Sequence, residues 1–292
     1  MPRSPLCTRR DALKRAALSA LTLPLVGTSS SLCAADAATT PAGGPRSRTR
    51  GLRLGVATIS LRDLPVDAVA AIVKQLDIDC VSIFRTHATF EKGTADESRA
   101  TAEKFRAAGL ATAATSVVYL TKDEAAIRRA FANVRAAAIP VMTCSPDPDA
   151  LPMIERFVKE TGIRLAIHNH GPEDKVYPSP YEAMKLIQPF DERIGLCLDA
   201  GHAMRAGVDP AQAIRDCASR LYDFHLKDSL AGPGAEDIPA VVGRGRMDIK
   251  GILAALIEVK YSGAVAFEYE ITEGNPAVGL AESVGYVRGL LA

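Results

Sequence analysis

Four of the five histidines, together with a set of acids, gather at the ends of four successive apolar runs. The run 165–170 ends in His168 and His170, and 194–199 ends in Asp199 with His202 just beyond. The run 221–225 ends in His225, followed by Lys227, and 265–268 ends in Glu268, followed by Glu270. Side chains alternate faces along a strand. His168 and His170 therefore share a face, as do Cys197 and Asp199, then Asp223, His225 and Lys227, then Glu268 and Glu270. If the runs lie side by side, His168 or His170, Asp199, His225 and Glu268 can converge on one divalent cation. Two imidazoles and two carboxylates suit Mn²⁺, Co²⁺, Fe²⁺ or Zn²⁺ better than Ca²⁺ or Mg²⁺. Such a cation polarises a carbonyl and a neighbouring hydroxyl, so that a carboxylate can remove the adjacent C–H proton.

The elements that must position these residues alternate along the chain. Apolar, β-branched runs at 52–59, 80–84, 110–118, 139–144, 163–168, 194–199, 221–226 and 264–268 read as eight strands. Amphipathic stretches at 66–76, 97–108, 124–137, 151–160, 181–187, 211–219, 249–260 and 277–291 read as helices. Cap signals mark several starts: Asp67 after Pro65, Thr121 with Glu124, Ser179 before Pro180, Asp209 before Pro210, and Asp248. Strand then helix, eight times, predicts a single (β/α)8 TIM barrel over 51–292, with its chemistry at the C-terminal ends of the strands. The rival, an open doubly wound sheet, calls for a glycine-rich phosphate loop after the first strand. That position reads Ala57-Thr58-Ile59-Ser60-Leu61-Arg62 instead.

His168-Asn169-His170-Gly171, Leu198-Asp199-Ala200-Gly201-His202, His225-Leu226-Lys227-Asp228, Gly243-Arg244-Gly245-Arg246-Met247-Asp248 and Phe267-Glu268-Tyr269-Glu270 resemble the xylose-isomerase-like barrels. That superfamily holds sugar isomerases and epimerases, inosose dehydratases and repair nucleases of the endonuclease IV type. The resemblance covers residues 51–291 and is strongest in the second half. It implies that Asp199, His225 and Glu268 are metal ligands and that His202 contacts substrate oxygens. One position departs: ketose 3-epimerases of the superfamily keep a glutamate where His168 stands, and use it with the last strand's glutamate as opposed bases. Inosose dehydratases carry histidines on this strand, so His168 shifts weight toward β-elimination or hydration of a keto-sugar.

A long segment from Ser229 to Met247 ends in Val242-Gly243-Arg244-Gly245-Arg246, where the glycines allow close backbone approach and Arg244 and Arg246 are candidates for sugar, carboxylate or phosphate contact. His87, His170 and Glu270 are further candidates for substrate contact, with Phe84 as a stacking wall. The absence of tryptophan argues against an extended carbohydrate platform and for a small ligand. Cys80, Cys144, Cys197 and Cys217 lack paired C-x-x-C spacing and read as small core residues.

The N-terminus reads as a targeting segment. Thr8-Arg9-Arg10-Asp11-Ala12-Leu13-Lys14, followed by a short apolar stretch, resembles a twin-arginine export signal, which implies a periplasmic protein. Residues 1–37 are set aside as signal and 38–50 as linker. The stretch is too short for a stable membrane anchor. Without residues 1–37 the chain has 30 basic against 32 acidic groups; this balance implies no strongly basic face and argues against nucleic acid as the main partner. Oligomeric state is not legible.

The leading expectation is a divalent-metal-dependent isomerase or epimerase that takes a proton next to the carbonyl of a small sugar. Glu268 is the base and Lys227 or His202 the acid partner. The alternative uses the same site as a keto-sugar lyase, dehydratase or hydratase. A periplasmic sugar-binding barrel without catalysis is the non-enzyme reading.

Overall fold

The computed structural model describes residues 49–292. The targeting segment and nearly all of the linker lie outside the described residues. Eight parallel strands close a barrel: β1 (Arg53–Ala57), β2 (Cys80–Ile83), β3 (Ala111–Thr115), β5 (Val141–Pro146), β6 (Arg164–His168), β7 (Ile194–Asp199), β8 (Leu221–Leu226) and β11 (Ala264–Phe267). Each pairs with its neighbour, β11 returns to β1, and a β3–β5 pairing at Ala114 and Val141 completes the ring. The run at 110–118 is therefore not one strand. It ends at Thr115, and a short β4 (Val118–Leu120) follows that pairs further along β5.

The outer helices are α1 (Val66–Gln75), α2 (Ala95–Ala107), α3 (Glu124–Ala136), α4 (Leu151–Thr161), α5 (Pro180–Ile187), α7 (Pro210–Cys217), α8 (Ile249–Glu258) and α9 (Pro276–Leu291). Their apolar faces pack on the outside of the barrel in one large core that includes Val69, Phe105, Phe131, Ile154, Ile214, Leu253 and Leu280. Ser179, Asp209 and Asp248 cap α5, α7 and α8 through hydrogen bonds from the backbone N–H groups of Tyr181, Ala211 and Gly251. Two cap expectations are corrected. α1 begins behind Pro65 with Asp67 inside the first turn, and α3 is capped by Asp123, not Thr121. Asp67 makes no capping hydrogen bond and serves α1 only as a first-turn acid, whereas Asp123 Oδ1 accepts from the N–H groups of Ala125 and Ala126. All four described cysteines are buried and free. Among the described residues no helix is long and apolar enough to cross a membrane.

Two elements between these units matter for chemistry. A six-residue helix, α6 (Ala200–Arg205), starts directly on the last residue of β7. After β8 comes a small hairpin, β9 (Asp228–Ser229) with β10 (Pro239–Ala240).

Strand register decides what meets at the mouth. His168 pairs with Cys197. Between β7 and β8 the register shifts at Leu196 and Cys197, so that Asp199 lies opposite His225. The close approach of these strands depends on Gly195, where any Cβ would collide with the Arg220 carbonyl and the Tyr222 ring. Gly195→Ala is expected to destabilise the barrel by about 1–3 kcal/mol in urea unfolding. A change below about 0.5 kcal/mol, the usual range of a neutral surface substitution, would show that β7 and β8 can separate there without cost.

Candidate active site

Four ligand-type side chains meet at the C-terminal mouth, all buried: His168, Asp199, His225 and Glu268, with one donor atom of each within 4.8 Å of all the others. His168 Nε2 lies 3.2 Å from His225 Nδ1 and 3.5 Å from Asp199 Oδ2. His225 Nδ1 lies 3.0 Å from Glu268 Oε2 and 4.0 Å from Asp199 Oδ2. Bonds of about 2.1 Å to a tetrahedral ion place neighbouring donors roughly 3.4 Å apart, so these spacings fit a single cation. Two of the donor atoms, Asp199 Oδ2 and Glu268 Oε2, are buried without a hydrogen-bond partner among the described residues. Buried carboxylate oxygens left in that state are costly, and a cation would satisfy both. The site therefore fits a divalent metal, with His168 rather than His170 in the donor set.

Two of the ligands, Asp199 and His225, are backed by neighbouring groups. Asp199 divides its oxygens: Oδ1 accepts from His202 N at 2.8 Å and caps α6, which leaves Oδ2 for the cluster. Asn169, between the two histidines, turns the other way. Its Nδ2 donates to the Asp199 carbonyl at 3.1 Å and its Oδ1 accepts from Asp199 N at 2.9 Å, clamping β6 to β7. Behind His225, Asp223 Oδ2 stands 3.5 Å from Nε2 and accepts from Thr143 Oγ1 at 2.7 Å. An imidazole backed by a carboxylate is the usual support for a metal ligand.

Lys227 neutralises much of the negative charge. Its Nζ donates to Glu270 Oε2 at 2.6 Å. It also stands 3.2 Å from Asp199 Oδ2 and from Glu268 Oε2, off the line of a hydrogen bond. Burial lowers the lysine pKa, but the three carboxylates outweigh it and hold the ammonium charged. Burial pushes Glu268 up, yet Lys227 and His225 bring it down to about 2. Burial also drives His168 down to about 3, and His202, with Lys227 beside it, down to about 4. Neutral imidazoles with free lone pairs are what metal ligation needs. For His225, burial is outweighed by Cys197, Glu268 and Asp223, which raise it well above the ordinary value.

In front of the cluster lies a cavity of about 150 Å³ lined by Phe84, Arg85, Tyr119, His168, His170, His202, Lys227, Glu268 and Glu270, among others. His170 stacks on Tyr119, with ring centroids 6.3 Å apart, and its Nδ1 lies 3.2 Å from Asp174 Oδ2. Phe84 takes its expected place in the wall. Arg85 and Tyr119 carried no sequence signal: Arg85 follows β2 in a loop, and Tyr119 sits on β4, whose pairing along β5 only the closed barrel creates.

Three expected substrate contacts are not brought to this cavity. His87 is tied to the barrel, its Nδ1 2.9 Å from Thr58 Oγ1 and its Nε2 3.0 Å from the Leu64 carbonyl. Arg244 is exposed and pairs with Glu282 on α9, and Arg246 lines a separate surface groove beside Val208 and Asp209. The glycines between them serve an internal anion. Asp228, buried behind β8, accepts from Gly243 N at 2.9 Å, Gly245 N at 3.0 Å, Met247 N at 3.2 Å and Ser229 N at 2.9 Å. A Cβ at Gly245 would collide with that carboxylate. The loop is thus wrapped around Asp228, and its arginines point away.

The fold and the cluster together define a (β/α)8 barrel with a mixed nitrogen–oxygen site at its C-terminal mouth. Residues 150–290, which supply β6 to β8, β11 and all four ligands, match the xylose isomerase-like TIM barrel family. An inosose dehydratase from Geobacillus kaustophilus is 30% identical over 145 residues, 44% of this chain and 46% of that one. A probable endonuclease 4 from Thermoplasma volcanium is 28% identical over 112 residues, 35% of this chain and 40% of that one. The chain thus spans less than half the length of these relatives. A solved structure of the IolI protein, with a zinc atom bound, superposes with a TM-score of 0.66 at 14% identity, covering 81% of this chain and 96% of that one.

A saturating divalent ion at a hundredfold excess over its Kd is expected to stabilise the protein by about 2.7 kcal/mol, raising Tm by roughly 5–10 °C. Asp199→Asn is expected to abolish that shift. Melting curves of both proteins with Zn²⁺, Mn²⁺ and Co²⁺, and after chelation, check it. Identical curves in all conditions would remove the metal site.

Proposed function

We propose that the protein is a divalent-metal-dependent enzyme that removes a proton next to the carbonyl of a small keto- or aldo-sugar, in the manner of the sugar isomerases and epimerases. The observation that carries this reading is the conjunction of the four-donor cluster with a sugar-sized cavity. A divalent ion there, Mn²⁺, Co²⁺, Fe²⁺ or Zn²⁺, would polarise the carbonyl and acidify the neighbouring C–H. Glu268 faces both the cluster and the cavity and is the proton acceptor. Phe84 and Tyr119 flank the ring, and Lys227 and His202 supply hydrogen-bond donors to the carbonyl oxygen.

A second reading, β-elimination from a keto-sugar, draws on the distribution of groups around the cavity. Both cavity carboxylates, Glu268 and Glu270, follow β11, while the β6 side presents His170 backed by Asp174. A carboxylate on one side and a carboxylate-supported imidazole on the other suit removal of a proton and protonation of a departing hydroxyl. The inosose dehydratase relative supports this variant. A nuclease with several metal ions fits less well: the metal-capable groups found among the described residues share His168 and His225 and form one cluster.

Glu268→Gln is expected to lower kcat on the order of 10²–10⁴-fold on whichever keto-sugar responds. The assay is a panel with added Mn²⁺ or Co²⁺, read by NMR for deuterium uptake and for unsaturated products. Near-normal turnover by the variant would show that Glu268 is not the base, and a wild-type protein inert across the panel would point to a binding barrel. We also propose export through the twin-arginine route, resting on Arg9 and Arg10. Replacing both by lysine is expected to leave the protein in the cytoplasm on fractionation, and periplasmic recovery of that variant would count against it.

A further inference from the structure

Arg205, the last residue of α6, is a buried cation whose side chain is only 4% exposed. Each of its nitrogens has a partner. Nε donates to the Ala235 carbonyl at 3.0 Å, Nη2 pairs with Glu173, and Nη1 lies 3.3 Å from His202 Nδ1. Its own carbonyl accepts from Gly234 N at 2.7 Å. Arg205 therefore joins three segments: the loop after β6, α6, and the long loop after β8.

Both cations that flank the His202 ring, Arg205 at Nδ1 and Lys227 at Nε2, carry donors only, so the more rigidly held of the two sets the ring's polarity. A guanidinium carries donors only and does not lose its proton in a protein. Nδ1 of His202 must then accept, which places the ring proton on Nε2. The opposite tautomer would set an Nδ1–H in a buried cage against a guanidinium that the Ala235 carbonyl and Glu173 hold in place, whereas the Lys227 ammonium facing Nε2 can rotate its N–H groups and is already engaged by Glu270. Gly171, with φ +89°, closes that cage, since a Cβ there would press on both His202 Nδ1 and Arg205 Nη1. On its other edge the ring faces Lys227, with Nε2 and Nζ 3.4 Å apart, and both residues line the cavity. Nε2–H and an ammonium at that separation repel unless one acceptor lies within reach of both.

We propose that Arg205 is a positioning residue that fixes His202 as its Nε2–H tautomer. It thereby makes His202 and Lys227 a paired donor for the substrate oxygen on which negative charge develops. The inference deepens the enolising reading and rests on it for the identity of that oxygen. When the C–H bond breaks, the proton passes to the carboxylate and the electron pair moves toward the carbonyl oxygen, which the two N–H groups hold. Breaking the Arg205 contact leaves the Nδ1–H tautomer free to form, and in that form His202 presents a lone pair to the developing charge.

The test combines tautomer and kinetics. With five histidines in the chain, ¹⁵N-histidine spectra of the full protein are tractable, and His202→Asn assigns the resonances. Wild type is expected to show a protonated Nε2 and an unprotonated Nδ1 at His202. Arg205→Met is expected to populate the other tautomer and to lower kcat on the order of 10–100-fold, with KM changed less than about threefold. Arg205→Lys is expected to restore part of both. Glu173→Gln, which only loosens the arginine, serves if Arg205→Met fails to fold. A wild-type His202 protonated on Nδ1 overturns the proposal. So does an Arg205→Met protein that keeps both the tautomer and kcat. The expected tautomer in a protein inert toward every keto-sugar would sustain the role of Arg205 and overturn the enolising reading instead.

Discussion

The barrel mouth is organised around buried negative charge. Asp199 and Glu268 stand together in a space that admits little water, where an isolated carboxylate would cost several kcal/mol. They stay ionised because Lys227 lies 3.2 Å from each. One monovalent cation does not complete the balance. Glu270 takes the short hydrogen bond from Lys227, and the inner oxygens of Asp199 and Glu268 remain without a hydrogen bond among the described residues. The architecture around them limits their motion. The register shift in β7 sets Asp199 against His225, Asn169 locks the Asp199 backbone, and the capping of α6 prevents that carboxylate from rotating. Asp199 is thus held from three directions with its Oδ2 turned to the cluster, an arrangement that fits a cation.

The loop after β8 shows the same economy with a different anion. Glycine and arginine alternating before a helix suggest an external phosphate or carboxylate. Here the backbone N–H groups of Gly243, Gly245, Met247 and Ser229 close on Asp228, one residue beyond Lys227. A carboxylate that accepts four backbone N–H groups fixes the loop as firmly as a bound ligand would. It also fixes the strand end that carries Lys227. Loop conformation and lysine position are thus one structural unit. The glycines are needed because the chain must approach a side chain of its own protein.

The strand ends were legible from the chain because their signal is local. The apolar runs at 194–199 and 221–226 coincide with β7 and β8, and face alternation placed Asp199, His225 and Lys227 on the inside. The run at 110–118 reads as one strand although it divides at Ser116 and Val117, where the chain leaves β2 and moves on to pair with β5. α6 escaped notice since six residues carry too little periodicity, and its start is set by Asp199, a residue with another task. His87, Arg244 and Arg246 have the residue types of substrate contacts and lie in loops that follow strands. Their actual partners, Thr58, Leu64 and Glu282, come from segments whose proximity only the closed barrel creates. Arg205 is the converse case, an ordinary arginine in sequence that becomes a buried cation because the loops after β6 and β8 fold over it.

The choice between His168 and His170 follows from where the strand stops. β6 ends at His168, so His168 still points inward at the depth of Asp199 and His225. His170, two residues on, has left the sheet and is turned by Asp174 toward Tyr119 and the cavity. One imidazole is committed to the cluster and the other faces the substrate space. This division bears on reaction type, since epimerisation by two bases requires proton acceptors on opposite faces of one carbon. With both cavity carboxylates following β11, the proposed function draws its opposite-face partner from His170, whose burial lowers its pKa and whose neighbour Asp174 raises it. A neutral imidazole in that position can accept a proton from carbon or, once charged, pass one to a departing hydroxyl. The same pair of walls thus admits both chemistries, and what separates them is the substrate: whether the carbon beside the enolised centre carries a group that can leave.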